Sequence, residues 1–191
     1  MSKLIFVSHG LNTSLGREII GKELKKDKDI PLKTILLVSV PGYEIDEILI
    51  KACKALGFAE ENIVLSSGLK KGVHFDYCYV TEGQTFEVVD YMRKNGLFEI
   101  VQDAVRDGAV YIGASAGAII AGCDFELAQD FDSNYLGITD FKGLKLFDGI
   151  ILPHYEPDER ERYIQNTESY RIERYKKIYS VGNEDIFILE E

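Results

Sequence analysis

The sequence predicts an α/β protein built on a mostly parallel sheet with helices on both faces. Short apolar runs bounded by turn residues recur up to about residue 124, and segments with helical spacing lie between them. The runs are continuously apolar rather than alternating, as befits strands covered on both sides. The chain of 191 residues is 46% hydrophobic and 28% charged, enough to bury a core. No Pro/Gly-rich linker divides it, so a single domain over 1–191 is expected.

The first strand is Leu4-Ile5-Phe6-Val7. Asn12 or Thr13 can cap a helix that runs to about Lys26. Ile35 to Val40 forms the second strand, stopped by Pro41-Gly42, and a helix follows from about Asp46 to Leu56. Ile63-Val64-Leu65 and Tyr77-Cys78-Tyr79-Val80 are the third and fourth strands, the latter leading into the turn Thr81-Glu82-Gly83-Gln84. Helical spacing runs through Phe86, Val89, Tyr91 and Met92, and again from Leu97 to Val105. Ala109 to Ile112 is the fifth strand. Beyond it, short strands are expected around Leu136-Gly137-Ile138, Ile150-Ile151-Leu152, Ile178 to Val181 and Phe187-Ile188-Leu189, with one helix from about Asp158 to Lys177.

Charge and composition exclude several function classes. With 22 Lys and Arg against 32 Asp and Glu the net charge is −10, which opposes binding to nucleic-acid phosphates or anionic membranes. The apolar runs are too short to span a bilayer, and no secretory signal is visible. Cys53, Cys78 and Cys123 show no paired spacing, so they read as small core residues of a reduced, cytoplasmic protein. No metal-ligand motif occurs, and no metal or cofactor is expected.

The informative stretch joins the fifth strand to an apolar helix through Gly113-Ala114-Ser115-Ala116-Gly117-Ala118. This is a G-x-S-x-G in the context it needs: strand before, helix after, small residues where the chain reverses within a few atoms of a helix start. It projects Ser115 from the carboxyl edge of the sheet, where open α/β folds place their ligands. The Ala116 amide lies next to the place where an oxyanion would develop.

A serine nucleophile needs a base. His154 follows the apolar run Ile150-Ile151-Leu152-Pro153 at a strand tip, so it can reach the same edge as Ser115. His9, at the tip of the first strand, could line the site; His74 lies in a polar loop and reads as a surface residue. The acid that would orient the imidazole stays open on spacing alone: Asp124, Glu126, Asp130, Asp132, Asp140 and Asp148 lie before His154, and Glu184 and Asp185 after it.

Three motifs together resemble the dipeptidase E family of serine peptidases, which includes cyanophycinases and other acyl-aspartyl hydrolases: the turn Glu82-Gly83-Gln84-Thr85-Phe86, the elbow Gly113 to Ala118, and Pro153-His154-Tyr155. The resemblance is clearest from about Phe75 to Leu189. It implies a fold like the class I glutamine amidotransferases, with serine in place of cysteine. It also implies a triad of Ser115, His154 and Glu184, with Asp185 or Asp130 as the other candidates for the acid. The family's oxyanion donors map to the Gly83 and Ala116 amides. A family aspartate beside the pocket maps to Asp130, and an arginine suited to a substrate carboxylate maps best to Arg160, with Arg162 and Arg171 as alternatives. Glu82 stands where the family turn has its first glycine. The implied reaction is cleavage of a peptide bond next to an aspartyl residue through an acyl-enzyme. The implied partner is a small Asp-containing peptide, with a homodimer left open.

Two other readings share the elbow. An α/β-hydrolase esterase would place its acid between serine and histidine, with Asp130 the best candidate, but His9-Gly10-Leu11 is a poor match to an HGGG oxyanion loop. A non-catalytic binding protein could retain the elbow, a reading to which Glu82 gives weight.

Overall fold

The computed structural model describes residues 2–41, 45–69, 72–156 and 177–190. Its strands are β1 (Lys3–Val7), β2 (Ile35–Val38), β3 (Ile63–Leu65), β4 (Tyr77–Val80), β5 (Val110–Ala114), β6 (Ile150–Leu152), β7 (Ile178–Ser180) and β8 (Ile186–Glu190). Six of them form the main sheet in the order β3-β2-β4-β5-β1-β8. The first five strands run parallel and β8 closes one edge antiparallel to β1. Strands β6 and β7 pair in parallel as a separate two-stranded sheet.

Successive side chains on a strand point to opposite faces, so each central strand feeds two cores. Ile5, Val7, Leu37, Tyr79 and Ile112 pack with Ile19, Ile20, Leu49 and Cys53 of α1 (Ser14–Leu24) and α2 (Ile45–Leu56). Leu4, Phe6, Val38, Cys78 and Tyr111 pack with Phe86, Val89, Val101 and Ile120 of α3 (Thr85–Lys94), α4 (Leu97–Arg106) and α5 (Ala116–Ala121). This explains the unbroken apolar runs in the sequence. Cys53 and Cys78 are fully enclosed core residues, and burial pushes both thiols up to about 12. Cys123 is only partly buried.

Several expected elements differ. The segment around Leu136-Gly137-Ile138 is not a strand. The Asn134 side chain bonds both the Ile138 amide and its carbonyl, and Gly137 adopts φ +66, so the chain closes into a turn with Leu136 exposed. The second strand ends at Val38, and the fifth continues to Ala114, where it meets the elbow. The helix expected over 158–177 lies almost wholly outside the described residues.

The elbow is packed without slack. A Cβ at Gly117 would meet the carbonyl carbon of Val80 at 2.8 Å and its Cβ at 3.1 Å, so α5 lies directly on β4. The Tyr111 hydroxyl donates to the Gly117 carbonyl at 2.6 Å and fixes the same turn from below. Gly117→Ala should therefore destabilise the protein by about 1–3 kcal/mol. The check is a lowered denaturation midpoint with an unchanged slope.

Candidate active site

Strand register brings the chemistry together. Val7 pairs with Ala114, and the Ser115 amide donates to the Val7 carbonyl at 2.9 Å, so the tips of β1 and β5 sit side by side. Val80 pairs with Gly113, placing the 81–85 turn on the other side of the elbow. In the second sheet Leu152 pairs with Ser180, and the Val181 amide continues the ladder to the Leu152 carbonyl at 3.0 Å. That sets His154, just past β6, beside the 181–183 segment just past β7.

Two side chains at the centre come from residues with left-handed backbones: Ser115 at φ 47 and His154 at φ 56. Such conformations cost about 1–3 kcal/mol each for non-glycine residues and persist only where the surroundings fix them. At Ser115 the fixing groups are the Val7 carbonyl and the Ala118 and Ile119 amides, both of which donate to the Ser115 carbonyl. At His154 it is Ser8. The fully buried Ser8 hydroxyl accepts from the His154 amide at 2.8 Å and faces the Val181 and Gly182 carbonyls at 2.9 and 3.0 Å. One hydroxyl thus ties β1, the histidine and the 181–183 segment together.

The two expected partners meet: His154 Nε2 lies 3.0 Å from Ser115 Oγ. The group on the other ring nitrogen is not the expected acid. Asn183 Oδ1 lies 2.8 Å from His154 Nδ1, while Glu184 and Asp185 are exposed to solvent. The reason is positional. The pairing through Val181 fixes the chain at this point and brings residue 183 to the ring. Behind Asn183 stands a carboxylate, since Glu156 Oε1 accepts from Asn183 Nδ2 at 2.8 Å and from the Asn183 amide at 3.3 Å.

The direction of this relay follows from its carboxylate end. An ionised carboxylate only accepts, so the Asn183 NH₂ faces Glu156 and its Oδ1 faces the ring. Nδ1 then donates to Oδ1, and in the neutral ring Nε2 is left to accept from the Ser115 hydroxyl. The arrangement can draw a proton from Oγ and hold the resulting imidazolium, with Glu156 supplying negative charge through the amide. Sequence reasoning missed Ser8, Glu156 and Asn183. A polar residue directly after the apolar β1, and an Asn-Glu-Asp run between two strands, were the available signals.

The 81–85 turn flanks this centre. Gly83 takes φ +143, a conformation that suits glycine, and Gln84 caps α3 by accepting from the Glu87 amide at 2.8 Å. The Thr85 amide donates to Asp132 Oδ2 at 2.8 Å. Asp132 therefore braces the turn, and Asp130 is exposed at the end of the 126–130 segment. The Ala116 amide opens α5 at a position that makes no intrahelical bond. Glu82 is half-buried, with Oε2 accepting from the Gly10 amide at 2.6 Å. Burial pushes its carboxyl above the usual carboxylate range, against the lowering pull of the Gly10 bond and of His154 when that ring is protonated. The His9 ring stands edge-on to His154 with centroids 5.2 Å apart, so His9 lines the site, and His74 is exposed far along the chain in the loop before β4. Arg160, Arg162 and Arg171 lie outside the described residues. Among the described residues no cluster of His, Cys, Asp and Glu suited to a metal ion is found, and no helix is long and apolar enough to cross a membrane.

Comparison with known proteins gives the family and the fold. The profile of peptidase family S51 matches residues 45–191. The Listeria monocytogenes protein Lmo0363, described as an uncharacterized peptidase, is 27% identical over 154 residues, covering 71% of this chain and 74% of its own. A Peptidase E of Pasteurella multocida is 30% identical over 131 residues, covering 64% of this chain but only 54% of its own. A crystal structure of a candidate peptidase E protein from Listeria monocytogenes superposes with a TM-score of 0.69 at 22% identity, covering 99% of this chain and 94% of that one. The fold is thus peptidase E-like, of the class I glutamine amidotransferase type. The chain belongs to peptidase family S51 and is a serine-type peptidase.

Proposed function

We propose that the protein cleaves a peptide bond next to an aspartyl residue through an acyl-enzyme on Ser115. The observation that carries this reading is the 3.0 Å approach of His154 Nε2 to Ser115 Oγ on a strained elbow, within a chain of this peptidase family. Ser115 Oγ attacks the carbonyl carbon as its proton passes to His154 Nε2. The tetrahedral oxyanion is held by the Gly83 and Ala116 amides, one such donor being worth about 3 kcal/mol of the barrier. His154 then gives the proton to the leaving amine, and the C–N bond breaks. Water attacks the ester, its proton going to His154 and then back to Ser115 Oγ as the acid product leaves. Asn183 holds the Nδ1 proton throughout, the part assigned by resemblance to Glu184. Arg160 would clamp the aspartyl carboxylate in a bidentate pair, with Asp130 at the pocket wall.

The test is a panel of dipeptides with varied N-terminal residue, with Ser115→Ala as control. Turnover that depends on Asp supports the substrate class. Cleavage of simple esters without any peptide turnover would favour an esterase instead.

A further inference from the structure

Resting on the proton transfer from Ser115 to His154, we propose that Glu82 is a positioning residue for that transfer. Its carboxylate, held on Gly10 next to His9 and so at the flank of His154, stabilises the imidazolium through space, independently of Asn183.

The placement is specific. Glu82 directly precedes Gly83, and its Oε2 is tethered at 2.6 Å to the amide of Gly10. Gly10 follows His9, whose ring contacts that of His154. The second oxygen, Oε1, is enclosed and has no hydrogen-bond partner among the described residues. An enclosed acceptor left unpaired is costly for the fold, and Oε1 shares that state with the hydroxyls of Thr81 and Thr85 in the same turn.

The groups acting on Glu82 are few. The His154 charge favours its ionised form, and Tyr79, whose hydroxyl accepts from the Leu11 amide at 2.9 Å, packs against the same Gly10. His9 lies beside Gly10, and among the described residues no lysine or arginine forms an ion pair with Glu82. On the histidine side the facing groups are Ser115, His9, Asn183 and, through Asn183, Glu156. Asn183 is neutral, so its amide relays charge but holds none of its own. A second carboxylate near the ring supplies what a neutral residue at that position lacks.

The sign of the effect follows. A carboxylate near His154 makes the protonated ring easier to form, in the resting enzyme and in the transition state alike. Removing it should weaken the base and lower the plateau rate. It should also move the acid limb of the pH profile to lower pH, because protonation that silences the base then requires more acid.

The experiment is the second-order rate of inactivation by a fluorophosphonate, measured across the range in which imidazole titrates, for the wild type, Glu82→Gln and Glu82→Asp. In Glu82→Gln the plateau should fall about tenfold and the acid limb should move down by roughly half a unit to one unit. Glu82→Asp, which keeps the charge, should recover part of both. An acid limb that superimposes on the wild type after scaling, in Glu82→Gln and Glu82→Asp alike, would overturn the proposal, because a structural role changes amplitude without moving the limb. A wild type that the probe never inactivates would overturn the underlying reading of Ser115, and the role of Glu82 with it.

Discussion

Replacing Ser115 by alanine should reduce peptide turnover by about 10⁴- to 10⁶-fold, the range expected when a triad loses its nucleophile. The loss should fall on kcat, because among the described residues Ser115 Oγ is the oxygen found against His154 Nε2, at 3.0 Å. The fold should survive. The backbone bonds that define the elbow run from the Ser115 amide to Val7 and from the Ala118 and Ile119 amides to the Ser115 carbonyl, and alanine keeps all of them. Steady-state kinetics on an active dipeptide, paired with a thermal midpoint near that of the wild type, checks both halves. An inactive variant that is also unfolded would say nothing of the hydroxyl, so the second measurement is needed.

Asn183→Ala should cost about 10²- to 10⁴-fold, the scale seen when a triad histidine loses the group that fixes its tautomer. Glu184→Ala should cost no more than a few-fold, since that side chain is exposed and Asn183 holds the ring nitrogen. The contrast separates the observed partner from the one suggested by resemblance. Glu156→Gln keeps a hydrogen-bonding side chain but removes the charge behind the amide, and it lets the Asn183 amide turn either way. It should fall between the other two. Asn183→Asp should not restore full activity: its second oxygen would face Glu156 Oε1, which now accepts from the amide NH₂ at 2.8 Å. Two carboxylates at that distance repel, and one must take up a proton. A wild-type rate in Asn183→Ala together with an inactive Glu184→Ala would return the third position to Glu184.

Much of this was legible in the sequence. Continuous apolar strands signalled a sheet covered on both faces, and the glycines around Ser115 signalled an elbow because the close packing of Gly113 and Gly117 admits no side chain. His154 was legible because strand tips converge on one edge. What stayed hidden depends on contacts far apart in the chain. Ser8 reads as an ordinary residue after a strand until β1 is seen beside β5 and its hydroxyl beside His154. The third position was sought among carboxylates, and the acid chosen was one residue away. The register of β6 against β7, which decides between Asn183 and Glu184, is set by three short pairs that no local pattern reveals. Asp132 stayed hidden for a similar reason, since only the turn after Phe131 carries it to Thr85. The separation of β6 and β7 into their own sheet was also invisible, because their apolar residues look like those of the main sheet.

The most direct test is covalent. The protein should take up a fluorophosphonate stoichiometrically, with the added mass mapped by peptide sequencing to Ser115. The adduct should be absent in Ser115→Ala and should form far more slowly in His154→Ala. Labelling at another residue, or no labelling of a folded protein, would contradict the joining of Ser115 and His154 in one nucleophilic site.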